Sequence, residues 1–308
     1  MAYFRDYLGK QYDFLIDRLL CILMFDSFNS IDPTPCHGSA HPQEDGSTIA
    51  FSIRDTESET PNTISVAEIT IRHLRRLKQS ASDFSGKAVT SAVIAIPTDA
   101  SEAQKEALAK VAENAQLNVL QFIAEPIAAL MAYDSQRDHR DKLVVVADFG
   151  GNRSDAAVIA SRGGMYSILA TAHDYDLGGV KLDQVLVDHF AKEFIKKHKT
   201  DPRENEKSLA KLQLEAEAVK KALSLSASAT FSVESLAEGL DFRSTVNKTR
   251  YELLAGKVFQ SFTRLIEEVV KKADLDLLDI DEVCGFHLNV IMAHTMTDYT
   301  IWRYIAYA

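Results

Sequence analysis

Apolar residues recur along this chain with two periods, and the changes of period mark its elements. Over 48–54 apolar and polar residues alternate, as in a strand with one wet face, and 55–63 is polar loop. Val66, Ile69, Leu74 and Leu77 then recur at helical spacing behind Ser65 and Glu68, a capping box, and Gly86 closes that helix. The pattern predicts a buried strand at 90–97, a helix at 101–115, a strand at 118–123 and a helix at 125–133. Three short strands at 143–149, 155–160 and 165–172, joined by Gly-Gly turns, predict an antiparallel meander. Two long helices follow at 181–197 and 204–225, the second with Leu209, Leu212, Ala216 and Val219 on one face. Strands at 229–234 and 241–246 flank the turn Glu238-Gly239, and a helix at 249–273 completes the regular part.

The two ends differ from this text. Residues 1–30 are aromatic and aliphatic, 31–46 form a Pro/His/Ser/Gly loop, and 284–308, with the single Trp302, has no clear period. The apolar run 14–25 carries Asp17 and Arg18 and is far short of the roughly 20 apolar residues a membrane span needs, so neither signal peptide nor anchor is expected.

At 308 residues, 46% hydrophobic and 25% charged, the chain can bury one large core or two ordinary ones. A net charge of -10 argues against sequence-independent nucleic-acid binding over the whole surface. It leaves one basic stretch, Arg72-His-Leu-Arg-Arg76-Leu-Lys78, whose ordinary reading is the wet face of a helix; ribosomal RNA or an acidic partner is the alternative. Cys21, Cys36 and Cys284 are too few and too scattered for a disulfide framework, which favours a reducing compartment such as the cytosol. Cys36, His37 and His41 lack a fourth zinc ligand nearby. His173, His189 and His198 lack a Ser or Cys partner at useful spacing and are expected to be structural or solvated.

The stretch Leu143-Val-Val-Val-Ala-Asp148-Phe-Gly-Gly-Asn-Arg-Ser-Asp155 carries the most chemistry. A β-branched strand that stops at a carboxylate and then exposes bare backbone can present N–H groups to a phosphate and an oxygen to its metal. By itself such a stretch is more often a plain strand-to-turn junction. Asn152 and Arg153 are also bulkier than a loop hugging phosphate usually allows. The Arg153 side chain could fill the phosphate position with its own charge or point to solvent.

Four motifs in order, Ile123-Ala-Glu-Pro-Ile-Ala-Ala-Leu-Met-Ala-Tyr133, Asp148-Phe-Gly-Gly151, Asp176-Leu-Gly-Gly179 and Glu217-Ala-Val-Lys-Lys-Ala-Leu-Ser224, resemble the nucleotide-binding domain of the seventy-kilodalton heat-shock chaperones. The resemblance covers about 65–283. With the loop Asp32-Pro-Thr-Pro-Cys-His-Gly-Ser-Ala-His41, it is closest to the atypical fungal Ssz branch, which pairs with a zuotin-type J-protein as the ribosome-associated complex. It implies an α/β, actin-like (ribonuclease H-like) two-lobed ATPase fold, here incomplete. The expected divisions are a divergent segment 1–46, a partial first lobe 47–140, a second lobe 141–283 and a divergent tail 284–308.

By the same resemblance Asp148 would sit by a magnesium ion and the attacking water, and Glu125 would hold that metal through water. Gly150, Gly151, Gly178 and Gly179 would line the phosphates, and Glu217, Lys220, Lys221 and Ser224 would contact adenosine. Lys221 stands where the family has Arg, which weakens adenine stacking. Arg153 replaces a threonine beside the γ-phosphate, Asn152 a glycine and Val180 a glutamate, while Arg5 corresponds to the phosphate-polarising lysine. The family's opening Asp-Leu-Gly-Thr-Thr loop has no counterpart, and Asp281-Glu-Val283 runs into Cys284-Gly-Phe-His rather than an adenine loop; the abrupt changes at 14–25 and 284 are what an unspliced intron or a faulty gene model would create. With half a phosphate clamp, ATP and magnesium are expected to bind weakly or not at all, without hydrolysis. The expected role is chaperone-like, in the cytoplasm, assisting nascent-chain folding at the ribosome with a zuotin-type J-protein, and with no membrane or sequence-specific nucleic acid. The alternatives are an active ATP-hydrolysing chaperone and a truncated product without stable function.

Overall fold

The computed structural model describes residues 42–45, 48–53, 62–134 and 141–286, in two compact units divided after Glu125. The cysteine and histidines at 36, 37 and 41, Arg5 and the apolar run 14–25 lie outside the described residues. No described helix is long and apolar enough to cross a membrane.

In the first unit, β1 (Pro42–Asp45), β2 (Thr48–Ile53) and β3 (Asn62–Ser65) form an antiparallel sheet in that order. Helix α1 (Val66–Ser85) follows, and β4 (Ser91–Ile96) pairs in parallel with β5 (Asn118–Ala124) around helix α2 (Glu102–Asn114). Both helices start where their caps predict: Ser65 accepts from the Glu68 N–H, and Ser101 and Gln104 make a reciprocal box. At α1 only half of the expected box forms, because the Glu68 carboxylate takes Arg72 at 2.8 Å instead.

Helix α1 is covered along Val66, Thr70 and Leu74, every fourth residue, so Leu77, expected on the same face, stays half exposed at 51%. The basic stretch turns out to be partly spent. Arg75 donates to the Asn114 carbonyl at 3.0 Å and Lys78 to the Gln116 carbonyl at 2.8 Å, satisfying backbone acceptors at the end of α2. Strand β4 is less buried than its apolar run suggests. Only Ile96 is fully covered, while Val93 is exposed: one face is packed where a parallel pair usually has two.

The second unit opens with α3 (Glu125–Asp134), whose first residue closes the first unit. The expected meander is present as β6 (Lys142–Phe149), β7 (Ser154–Arg162) and β8 (Met165–Asp174). Gly163 and Gly164, both at positive φ, make the two-residue turn between β7 and β8 that matches strand twist. Then come α4 (Gly179–His198), a short 3-10 turn (Pro202–Glu204), α5 (Glu206–Leu225), the hairpin β9 (Ser228–Ala237) and β10 (Leu240–Asn247), α6 (Lys248–Lys272), and β11 (Glu282–Phe286). The helix expected from 204 is thus split, since Asn205 caps α5 through the N–H groups of Lys207 and Ser208.

Strand β11 joins β6 in parallel, giving the order β11-β6-β7-β8. It runs past Val283, and Cys284 is buried against Leu130, Val144 and Val146, so regular structure extends three residues beyond the expected break. Side chains alternate between two cores: Val144, Val146, Ala157 and Ile159 meet α3, while Val145, Ala147 and Phe149 meet α6, with Phe149 edge-on to Phe262 at 4.6 Å. The larger core continues beneath the hairpin, where Phe190 stacks on Phe231 at 4.1 Å.

A polar network closes the end of the sheet where β6 and β11 begin. Lys142 is bound by Asp134 at 2.7 Å and Glu282 at 2.9 Å, Tyr133 donates to Glu282 at 2.5 Å, and Tyr166 donates to Asp134 at 3.3 Å. It ties α3, β6, β8 and β11 together, with one ammonium and two tyrosine hydroxyls shared between two carboxylates.

Candidate functional site

At the opposite end of the sheet the register sets three titratable side chains in a row. Asp148 on β6 pairs with Asp155 on β7, and Asp155 with His173 on β8. Residues directly opposite in a ladder point to the same face, and all three are half-buried. The row lies at the carboxyl end of β6, where α/β sheets usually hold ligands.

Arg153 does not point to solvent. Its Nε donates to Asp155 at 2.8 Å, one Nη closes a second, short bond to the same carboxylate, and the guanidinium lies 4.7 Å over the Tyr175 ring. His173 Nδ1 meets Asp155 at 2.6 Å. Burial works to raise the Asp155 carboxyl, but its bonds to His173 and Arg153 outweigh that and hold it below the usual carboxylate range. His173 is thus held on the Asp155 carboxylate.

The two glycine loops grip each other. Gly150 donates to the Arg153 carbonyl at 3.0 Å, closing the β6–β7 turn, while Gly179 donates to Gly150 O at 3.0 Å and Val180 to Gly151 O at 2.8 Å. Helix α4 has no side-chain cap, so the β6–β7 turn is its cap: carbonyl oxygens take the N–H groups that a helix N-terminus would otherwise offer an anion. The loops approach so closely that a Cβ on Gly178 would lie 2.5 Å from the Gly151 oxygen. The expected phosphate donors Gly150 and Gly179 are thereby committed within the fold.

The residues expected at adenosine separate into two groups. Lys220 points inward and binds Asp183 at 2.8 Å and the Gly179 carbonyl at 3.1 Å, which ties α5 to the start of α4. Lys221 is exposed and pairs with Glu217 at 2.7 Å, a bond that raises its ammonium, and Ser224 donates back to the Lys220 carbonyl at 3.3 Å. Glu125, expected near the metal, is the last residue of the first unit.

Sequence reasoning missed Asp155, Asp183, Tyr175 and Tyr251. Asp183 is the charge partner of Lys220, yet burial pushes its carboxyl up to about 6 against that pairing. The Tyr251 hydroxyl is fully buried, and burial first and the Asp183 charge second push it far up. An Asp near the start of α4 facing a Lys of α5 was visible as residue types, but only helix packing joins them.

Magnesium fits this row poorly. Both Asp155 oxygens are taken, one by Arg153 Nε and the other by Arg153 and His173, so a hard cation at this carboxylate would have to displace a fixed guanidinium.

A family model described as Hsp70 protein matches residues 40–285. The chain is 48% identical over 257 residues to the ribosome-associated complex subunit SSZ1 of Saccharomyces cerevisiae, covering 83% of this chain and 48% of that protein. It is 42% identical over 285 residues to the heat shock protein 70 homolog C57A7.12 of Schizosaccharomyces pombe, covering 91% of this chain and 48% of that one. It is also 35% identical over 232 residues to the heat shock cognate 70 kDa protein 3 of Dictyostelium discoideum, with 74% and 37% covered. The chain spans about half or less of the length of these curated relatives. With the family's motifs on the sheet and helices described above, this chain belongs to the Hsp70 family and its mixed α/β units are those of the actin-like ATPase fold.

Proposed function

We propose that this chain is a non-hydrolysing Hsp70-type chaperone component that acts at the ribosome in the cytoplasm with a zuotin-type J-protein. The observation that carries the reading is the fate of Arg153. Where the family's resemblance puts a small hydroxyl beside the terminal phosphate, this chain has a guanidinium locked to Asp155 and Tyr175. Phosphoryl transfer needs donors poised at the developing charge from two sides. Here Gly150, Gly179 and Val180 spend their N–H groups on backbone carbonyls, and Lys220 spends its ammonium on Asp183.

Nucleotide, where it binds, acts as a structural ligand that stabilises the fold by mass action without turnover. The ribosomal setting and the J-protein partner rest on similarity to a subunit named for the ribosome-associated complex.

Single-turnover phosphate release from radiolabelled ATP, with and without a J-protein, tests the first half of the reading. The expected result is no release above background. Turnover that disappears in Asp148→Ala would establish a working ATPase instead. Sedimentation of the tagged chain with ribosomes from cell extract tests the second half, and a chain that stays in the supernatant with and without the J-protein counts against it.

A further inference from the structure

Two surfaces of this chain carry opposite charge around exposed apolar side chains. The first is a 3-10 turn (Leu277–Asp279) between α6 and β11. Leu275 and Ile280, on either side of it, pack on the larger core, and Asp281 accepts the Leu143 N–H at 2.7 Å, so the turn is pinned at its base. Its tip holds Leu277 and Leu278 in water, the second 85% exposed. Asp274, Asp276, Asp279 and Asp281 flank the pair; all four are exposed, and none has a cationic partner among the described residues. No three of these carboxylates come within metal-ligating reach of one another, so their charge is not arranged around an ion.

The second surface is the outer side of α1. Arg76, Leu77 and Phe84 fall within about 100° of one another around the helix. Leu77 is half exposed and Phe84 96% exposed. Over 75–87 four cations, Arg75, Arg76, Lys78 and Lys87, stand against one carboxylate, Asp83, in a chain whose net charge is -10. Arg75 and Lys78 donate to neutral carbonyls, which leaves their charge uncompensated, and Arg76 and Lys87 have no carboxylate partner among the described residues.

Each surface has what the other lacks. A nucleic acid would satisfy the α1 cations but leave Leu77 and Phe84 uncovered, and the acidic turn would repel it. We propose that the Leu277–Leu278 turn of one copy docks on the α1 face of a second copy of this chain, with the leucines against Leu77 and Phe84 and the aspartates toward Arg76 and Lys87. Because two different surfaces meet, the contact is head-to-tail, and each copy keeps one surface free for the next. The contact does not depend on whether the chain hydrolyses ATP or reaches the ribosome.

Sedimentation velocity of the intact chain, at low and at high salt, is the test. The wild type is expected to form dimers and longer species that grow with protein concentration through the submillimolar range, and to need roughly tenfold more protein at high salt. Leu278→Ser and Phe84→Ser alter side chains so exposed that the fold does not rest on them, and each variant alone is expected to remain monomeric. Mixed in equal amounts they are expected to form a dimer and nothing larger, because each supplies the surface that the other has lost. Arg76→Glu is expected to weaken association about tenfold at low salt. A wild type that stays monomeric would overturn the proposal, and so would single variants that associate as the wild type does or a mixture of the two that stays monomeric. Phosphate release and ribosome sedimentation are read separately, so this proposal can fail while the non-hydrolysing reading stands, and the reverse.

Discussion

Asp155 takes the guanidinium of Arg153 on both of its oxygens, and the pair separates Asp148 on β6 from His173 on β8. One side chain thus supplies the counter-charge that keeps Asp155 ionised in a half-buried place.

Cutting that pair should be felt in acid. Arg153→Ala is expected to cost about 1–2 kcal/mol, between the values for exposed and buried pairs. Because the Asp155 carboxyl is held below its ordinary 3.8, its contribution is full above that value and is lost as pH falls through the lower, folded one. Urea unfolding of both proteins should show a constant gap above about pH 5 that closes in strong acid. A gap that does not change with pH would assign the loss to packing.

Asp183 should behave in the opposite sense. Its carboxyl is raised by burial to about 6, so the folded protein holds that proton more tightly than the unfolded chain. The resulting stability is complete below the ordinary 3.8 and is lost as pH rises through about 6. Carbon-13 titration of the side chain should give a midpoint near this value, and Asp183→Asn should flatten the pH dependence of stability between 4 and 7 to within about 0.5 kcal/mol. A midpoint near 4 would show that Lys220 outweighs burial.

The two glycine loops can be probed by one methyl group. Gly178→Ala forces a Cβ against the Gly151 and Asn152 backbone and is expected to cost about 3 kcal/mol, because no flexible side chain can yield there. Gly256→Ala, in α6 with open space around the added carbon, should instead stabilise by about 0.5–1 kcal/mol through helix propensity. Calorimetric midpoints of the two variants moving in the same direction would contradict the loop contact.

Lys142→Met should be the most damaging single charge removal, at about 3–5 kcal/mol, since it leaves Asp134 and Glu282 buried together. Burial works to lower the Lys142 ammonium, but its bonds to Asp134 and Glu282 raise it above its usual range. The wild-type contribution is therefore full below about 10.5 and is lost only in strong alkali. Equilibrium urea unfolding of the variant and the wild type at neutral pH reads the deficit, and a loss below about 1 kcal/mol would show that the two carboxylates do not depend on Lys142.

Much of the fold was legible because its signals are local. Ser65 before α1 and the Gly163-Gly164 turn each act within four residues, and each element begins or turns at them. The four motifs identified the family for the same reason, as each is a short contiguous string. What stayed hidden was long-range. Arg153 could be seen to break a pattern, but its capture depends on a register that brings Asp155 opposite His173, and on a ring at Tyr175 beyond the next strand. Lys220 matched an adenosine-contacting position, yet its partner Asp183 lies 37 residues earlier on another helix. Leu77 fell outside the packed face because α1 is covered along every fourth residue, which the run of apolar positions did not specify.

The tie between Lys142 and Glu282 spans 140 residues of chain. At ordinary elongation rates, on the order of ten seconds pass between the synthesis of the lysine and that of its second carboxylate. For that interval β6 has Asp134 to neutralise Lys142 but an open edge where β11 will lie, an edge of apolar residues available to any other strand nearby. The sheet is thus completed by a strand made late, and a ribosome stalled before Glu282 would hold a unit with its helices formed and its central strand unguarded.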